Sequence, residues 1–388
     1  MADRIINFGV IGCGLMGREF ASAAARWNHL VGMNVRPRIV AACDTSPKVL
    51  GEFCSANPGV RAHADYRELL AATDIEALYI AIPHHLHEEV YVAAINAGKH
   101  FLGEKPFGID LAANRAITAA LRARPGLVVR CSSEFPFFPG VQKIAALIRA
   151  GDIGRVLEVR CGLLHSSDMD PLKPINWKRM VEFNGAYGCM GDLGMHAVHF
   201  PLRMGFAPRD VRALLSKIVS TRPDGKGGQA PCETWDNALL ACTAVAPAGE
   251  AFPMLLEMKR IAPGHMNTWF IEVYGTMCSA RFSTRSPRTL EVLRYERGKP
   301  QAWQVQDLGY ESAYPAITGA IFEFGFADAI QQMWAAYCDE VANGTNAMRQ
   351  PFFCATPVEA AASHELFDAA LRSNAASSVE PVRAPSFM

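Results

Sequence analysis

The hydrophobic rhythm of the chain changes about a third of the way along. In the first part, short apolar runs alternate with alanine-rich stretches of helical spacing, whereas a period-two alternation dominates later. Arg4-Ile-Ile-Asn-Phe-Gly-Val-Ile11 predicts a strand, Arg18 to about Trp27 a helix, and Pro37 to Cys43 a second strand after an extended loop from Asn28 to Arg36. Ala62 to Leu70 reads as a short strand and helix, and Ala77-Leu-Tyr-Ile-Ala-Ile82 as a strand buried on both faces. A helix from Glu88 to Ala97, a stop at Gly98, a strand to Glu104, a helix after Gly108 and a sixth strand from Gly126 to Cys131 complete the alternation. Six strands with intervening helices predict an α/β domain over residues 1–135.

Beyond it, Gly154 to Leu164 alternates as a half-buried strand does. Further strands are expected at Val211–Ser220, Trp235–Val245, Met254–Ile261, Thr268–Tyr274 and Ser279–Thr284, and helices at Phe324–Asn343 and Pro357–Arg372. Runs of strands after an alternating half predict an α+β second domain, residues 136–388. Its long Pro- and Trp-containing loop, His165 to Asn184, is of a length usually functional or disordered.

Gly12-Cys-Gly14-Leu15-Met16-Gly17 sits between the first strand and the first helix, the context in which G-x-G-x-x-G carries meaning. Gly12 permits a tight turn, Gly14 a close approach of pyrophosphate, and Gly17 close packing of helix on strand, with the helix amino terminus facing the phosphates. That is the fingerprint of a Rossmann dinucleotide-binding domain. Asp44, ending the second strand, stands where a carboxylate accepts hydrogen bonds from an adenosine ribose and repels a 2′-phosphate, favouring NAD over NADP. Asp44-Thr-Ser-Pro47 would also serve as a helix start, with Asp44 the cap.

Three places carry candidate chemistry. Glu104-Lys105-Pro106 follows the carboxyl end of a buried strand, where ligands of open α/β sheets bind; the competing reading is a surface lysine in a turn. After the Ile82-Pro83 strand end, His84, His85 and His87 invite a metal site. They have no cysteine partners, so His84 and His87 lining a cofactor pocket is preferred and no metal is assigned. In Tyr187-Gly-Cys-Met-Gly-Asp192-Leu-Gly-Met-His196-Ala-Val-His199, a helix starting near Asp192 puts Asp192, His196 and His199 on one face. A carboxylate and an imidazole one turn apart offer an orienting group and a proton acceptor near neutral pH; an Asp N-cap beside structural histidines is the alternative. Trp177, flanked by Asn176, Lys178 and Arg179, has the composition of a sugar or nucleotide contact and equally that of a buried structural tryptophan. With it, His165, Glu134, Tyr187 and His199 are candidate substrate contacts.

Composition narrows the picture. Of 388 residues half are apolar, and Lys+Arg and Asp+Glu are 38 each, giving no electrostatic argument for nucleic acid or an anionic membrane. No apolar run approaches the ~20 residues of a membrane span, and Met1-Ala-Asp-Arg-Ile lacks the features of a secretion signal. Eleven cysteines without a C-x-x-C pair suit buried thiols in a reducing, cytoplasmic setting. The tail after Ser373 reads either as loose or as packing on another subunit.

The glycine fingerprint, Ile82-Pro-His-His-Leu-His87, Ala97-Gly-Lys-His-Phe-Leu-Gly-Glu-Lys-Pro106 and Arg149-Ala-Gly-Asp-Ile-Gly-Arg155 together resemble the Gfo/Idh/MocA family of oxidoreductases. The resemblance implies an amino-terminal Rossmann domain and a carboxy-terminal domain with an open, largely antiparallel sheet. It also implies NAD(P)-dependent oxidation or reduction of sugars, polyols and their derivatives, and homodimers or homotetramers assembled through the open sheet. It places catalytic residues at Lys105, Asp192 and His196. Two departures stand out. His199 occupies a position where the family often has an acid. Ser132-Ser-Glu-Phe-Pro-Phe-Phe-Pro139 lacks the arginine expected after the sixth strand, while Glu134 adds negative charge, which points to a neutral sugar, polyol or glycoside. Competing functions are a glycosidase working through a transient redox step on tightly held NAD, a non-catalytic NAD-binding protein, and a metal-dependent hydrolase built on the histidine cluster.

Overall fold

Six short strands pair in parallel: β1 (Arg4–Ile11), β2 (Val35–Cys43), β3 (Arg61–His63), β4 (Ala77–Ile80), β5 (His100–Gly103) and β6 (Val129–Cys131). Their order is β3-β2-β1-β4-β5-β6, so the winding reverses between β1 and β4, at the crevice where open α/β sheets hold their ligands. The computed structural model describes residues 4–309, 312–319, 321–350 and 352–385. The intervening helices are α1 (Leu15–Ala25), α2 (Pro47–Ala56), α3 (Tyr66–Ala71), α4 (His87–Asn96) and α5 (Leu111–Arg122). Helix α2 begins at Pro47, and Ser46, not Asp44, caps it, accepting from the Val49 amide at 3.4 Å.

The chain divides into two units, Met1–Gly108 with Ala112–Phe137 and Tyr310–Pro357, and Ile109–Leu111 with Phe138–Gly309 and Val358–Met388. After α5 come α6 (Pro139–Arg149), α7 (Val181–Asn184), α8 (Cys189–Arg203), α9 (Phe326–Asn343) and α10 (Pro357–Ala376), with a 3₁₀ turn at Trp177–Arg179. Chain order assigns α9 to the second half, yet it belongs to the first unit and packs on α1, β1 and β2. The reason is aromatic. Phe8, Phe20 and Tyr79 form an apolar seam over the parallel sheet, and Trp334 of α9 covers it, stacked on Phe20 at 3.7 Å between centroids and edge-on to Tyr79 at 4.9 Å.

The second unit is built on a nine-stranded sheet. It starts with β7 (Val156–His165) and β8 (Ala207–Ser216), after which a separate two-stranded ribbon intervenes, β9 (Thr221–Pro223) with β10 (Gln229–Pro231). The large sheet then resumes with β11 (Asn237–Val245), β12 (Ala251–Lys259), β13 (Asn267–Gly275), β14 (Cys278–Ser283), β15 (Thr289–Arg294), β16 (Gln304–Asp307) and β17 (Glu380–Pro381). Its order is β16-β15-β14-β13-β7-β12-β11-β8-β17, antiparallel except where β7 meets β12. On β12, Phe252, Met254, Leu256 and Met258 are buried while Leu255, Glu257 and Lys259 are only half-buried, so one face of the sheet is covered and the other is open. Helix α8 supplies the cover over β7, β11 and β12. The tail is not loose through residue 381, because Glu380 and Pro381 pair with Val211 and Asp210 of β8. Residues 386–388 lie outside the described residues.

Candidate active site

In the first unit, every predicted cofactor position follows the carboxyl end of a strand. Gly12 has φ +95°, and a Cβ there would stand 2.1 Å from the Ala81 carbonyl oxygen; a Cβ at Gly17 would stand 2.2 Å from that of Gly12. At Gly14 a Cβ would meet nothing within 4 Å, so the turn presents bare backbone to open space. No side chain caps α1, whose first residues, Leu15 and Met16, are exposed and half-buried. This is a cradle for a pyrophosphate: unclaimed helix amides and a positive dipole end, with no side chain in the way.

Asp44 is set beside it. Its Oδ2 accepts the Cys13 amide at 2.9 Å and its Oδ1 the Ser46 amide at 2.8 Å, so its carboxylate is fixed on the glycine turn rather than used as a helix cap. Each oxygen retains a further lone pair for a ribose hydroxyl. The residues present therefore fit NAD, which Gly12, Gly14, Gly17 and Asp44 would hold.

Glu104 and Lys105 leave β5 under tight control. The Glu104 carboxylate accepts from the Tyr79 hydroxyl at 2.8 Å and its carbonyl from the Tyr91 hydroxyl at 2.7 Å, and both tyrosines are buried. These anchors hold the backbone from which the half-buried Lys105 projects, and Lys105–Pro106 is a cis peptide. His87 has a bracing role in the backbone. It is fully buried, with Nδ1 2.6 Å from the Pro106 carbonyl and Nε2 2.9 Å from that of Ile82, and it stacks on Tyr91. It ties the Ile82-Pro83 turn to the Lys105-Pro106 segment. Burial drives its pKa down to about 4, so it is neutral and donates to one of the two carbonyls. His84 is buried while His85 is exposed, and among the described residues no group of three or more metal-ligating side chains converges.

Glu134 departs from its expected charge. It is 3 % exposed, and burial first, then the neighbouring Glu104, push its carboxyl up to about 8 against the opposing pull of Lys105. The negative charge read from the sequence is therefore largely absent at neutral pH, because a carboxylate stripped of water costs more than its proton.

In the second unit, α8 begins before Asp192. Gly188 caps it with φ +58°, a conformation that lets the Cys189 amide donate to the Trp235 carbonyl at 3.0 Å; a Cβ there would lie 2.5 Å from the Trp235 nitrogen. Asp192 therefore sits in the first turn and is not the N-cap, and His196 follows one turn later; both are buried. The His196 carbonyl accepts from the buried Trp269 indole at 2.8 Å, which pins this turn to β13. Asp192 is bonded to Arg260, and both of its oxygens lie 3.2 Å from Lys178 Nζ.

Two substrate candidates are core residues. His199 is fully buried beside Arg203, 3.3 Å from its Nη2, and 3.9 Å from Glu359 on α10; burial holds its pKa near about 3, making it a neutral packing group. Tyr187 is buried against His364 and Phe367, its hydroxyl reaching the His364 carbonyl at 3.4 Å. His165 and Trp177 are half-buried, and the Trp177 ring lies 5.6 Å from Lys178 Nζ.

The loop from His165 to Asn184 is held by a buried ion network that the residue pattern does not announce. Asp168 pairs with Arg179, Arg260 and Lys173; Arg179 pairs with Asp236 at 2.7 Å; Arg222 donates to the Asp168 and Asp170 carbonyls. Arg260, just past β12, has no local signal in the sequence. Only the fold brings it to Asp192.

Residues 6–130 match the model of an oxidoreductase family with an NAD-binding Rossmann fold, and residues 141–281 match the GFO/IDH/MocA C-terminal domain. The chain belongs to the GFO/IDH/MocA oxidoreductase family. As a member it is an NAD-binding oxidoreductase, in keeping with its glycine cradle. A levoglucosan dehydrogenase of Pseudarthrobacter phenanthrenivorans is 27% identical over 304 residues, 74% of this chain and 76% of that protein. A scyllo-inositol 2-dehydrogenase (NADP(+)) of Bacillus subtilis is 26% identical over 224 residues, 58% of this chain and 65% of that protein. A solved levoglucosan dehydrogenase in complex with NADH and levoglucosan shares the fold, with TM-score 0.85 and 23% identity over 98% of this chain and 100% of that one. No helix among the described residues of this GFO/IDH/MocA protein is long and apolar enough to cross a membrane.

Proposed function

We propose that this protein is an NAD-dependent dehydrogenase that interconverts a secondary alcohol and a ketone on a neutral sugar or polyol. The observation that carries the reading is the pair on α8, a buried carboxylate one helical turn before a histidine, in a chain whose first unit holds a dinucleotide cradle. His196 accepts the hydroxyl proton, and Asp192 orients its imidazole and stabilises the imidazolium. Lys105, held on its strand end by the two tyrosines that grip Glu104, supplies positive charge to the developing alkoxide. Bound NAD supplies the hydride acceptor. A neutral substrate is supported by the missing arginine after β6 and by the protonated state of Glu134. Relatives named for levoglucosan and scyllo-inositol support a polyhydroxylated ring. Asp44 supports NAD over NADP even though one relative is named for NADP(+). The open sheet face supports assembly into a homodimer or homotetramer, which native mass spectrometry would measure.

The test is a screen of neutral anhydrosugars, inositols and monosaccharides with NAD, followed at 340 nm, then kinetics of variants on the best substrate. Lys105→Met and His196→Gln should each lower kcat by on the order of 10²-fold or more, with NAD affinity unchanged in His196→Gln. Near-normal turnover in both would refute the assignment.

A further inference from the structure

The Asp192 carboxylate is held between two cations of different character. Lys178 approaches from the 3₁₀ turn with its side chain about a third exposed, 36%, and lies 3.2 Å from both oxygens. Arg260 approaches from the end of β12 and is buried, as is Asp192 itself. Arg260 is also positioned from behind: its amide donates to the Asp236 carbonyl at 3.0 Å and to Asn237 Oδ1 at 3.1 Å, and its Nη1 lies 3.3 Å from Asp168 Oδ2. One guanidinium thus spans two buried carboxylates, one on α8 and one on the His165–Asn184 loop. The planar guanidinium does this from two fixed nitrogens, Nη1 facing Asp168 and Nη2 facing Asp192, whereas an ammonium carries all its donors on one atom.

We propose that Arg260 is a positioning residue for the dehydrogenase reaction, fixing the Asp192 carboxylate toward the acid–base histidine and tempering its charge, so that the proton affinity of His196 is set through Asp192. The inference rests on the reading that His196 is the general base. An isolated carboxylate one turn from an imidazole raises its pKa and favours the imidazolium. Here Arg260 and Lys178 offset that carboxylate, while Asp168, Asp236 and Arg179 complete the charges around Arg260. Removing Arg260 returns net negative charge to the neighbourhood of His196 and frees the Asp192 side chain to swing.

The experiment compares Arg260→Met, Arg260→Lys, Arg222→Met and His196→Gln with the wild type, each holoenzyme assayed from pH 5 to 10 on the same substrate. Arg222 is the structural control, since the bonds it makes to Asp168 and Asp170 are to main-chain carbonyls. Arg260→Met is expected to lower kcat by about 10- to 100-fold with KM within about 3-fold, because orientation and not binding is lost. The acid limb of its kcat/KM profile should move up by about one pH unit. Arg260→Lys should recover part of kcat and shift the limb less. If Arg260→Met proves insoluble, Arg260→Lys alone decides, since it keeps the charge and loses the planar two-nitrogen fork. Arg222→Met should lower the melting temperature and leave the acid limb in place. A wild-type profile and kcat in the Arg260 variants overturns the proposal, as does the same limb shift in Arg222→Met. Full activity in His196→Gln instead overturns the general-base reading on which the proposal rests, a result separate from either.

Discussion

Glu134 shows how one buried carboxyl can invert a conclusion drawn from its letter in the sequence. Its ordinary carboxyl pKa of 4.5 is raised to about 8 by burial. A raised folded-state value means that the neutral form suits the fold. The favourable balance is therefore complete below pH 4.5, where folded and unfolded chains are both protonated, and is lost as the pH rises through 8. Glu134→Gln mimics the neutral form permanently. Urea unfolding should find the variant and the wild type alike near pH 4.5, and the variant more stable by on the order of a few kcal/mol at pH 9, at roughly 1.4 kcal/mol for each tenfold change in proton affinity. Parallel stability curves from pH 4.5 to 9 would show that folding leaves the proton affinity of Glu134 unchanged. Asp44 illustrates the opposite case. Its place after β2 was readable, and its two backbone hydrogen bonds show why the carboxylate stays aimed along the glycine turn.

At the scale of elements, the parallel strands and the glycine turn were legible because their signals are local: continuous apolar runs, period-two alternation, and glycines that only a tight turn needs. Helix α8 was legible too, but its start was not, since Gly188 takes a left-handed φ only to clear the Trp235 backbone contributed from far along the chain. The same holds for the loop from His165 to Asn184. Its length marked it, but nothing in its residues says that Asp168 and Arg179 meet Asp236 and Arg260 in the interior. Burial lowers Arg179 to about 10, aided by Arg260 and opposed by Asp236, so it remains charged at neutral pH and its partners cannot be removed singly without cost. Arg179→Met should destabilise the protein by about 3–5 kcal/mol, the usual result of leaving buried charge unpaired. Adding Asp236→Leu should restore part of that loss, though not all, because Asp236 also accepts the Ile218 and Val219 amides. Guanidinium unfolding of the two single variants and the double variant gives the coupling, and additive losses would mean the pair contributes nothing as a pair.

For the whole chain, the histidines that attract the eye in the sequence divide by what packs around them, not by spacing. His87 braces the first unit and His199 the second, and both are fully buried, with pKa values driven from 6.5 down to about 4 and about 3, chiefly by loss of water. Glu359 pulls His199 back up, while Arg203 pushes it further down. The sequence pattern could place His87 in a turn after a strand and His199 on a helix but could not separate them from His196, because all three share the same chemistry until the packing around them is known. Depressed folded-state values give a definite sign. Above pH 6.5 the unfolded and folded imidazoles are both neutral and the contribution is complete; as the pH falls toward 4 and then 3, the unfolded chain takes up protons that the folded chain refuses, and stability is lost. Each unit carries its own acid-sensitive brace, so neither should survive acid much longer than the other on this account. The melting temperature should be nearly level from pH 6.5 to 7.5 and fall between pH 6 and 4. His87→Gln and His199→Gln should each start lower at pH 7 and fall less steeply, since glutamine has no proton to take up. Falls as steep as that of the wild type in both variants would assign the acid sensitivity to the buried carboxylates of the ion network instead.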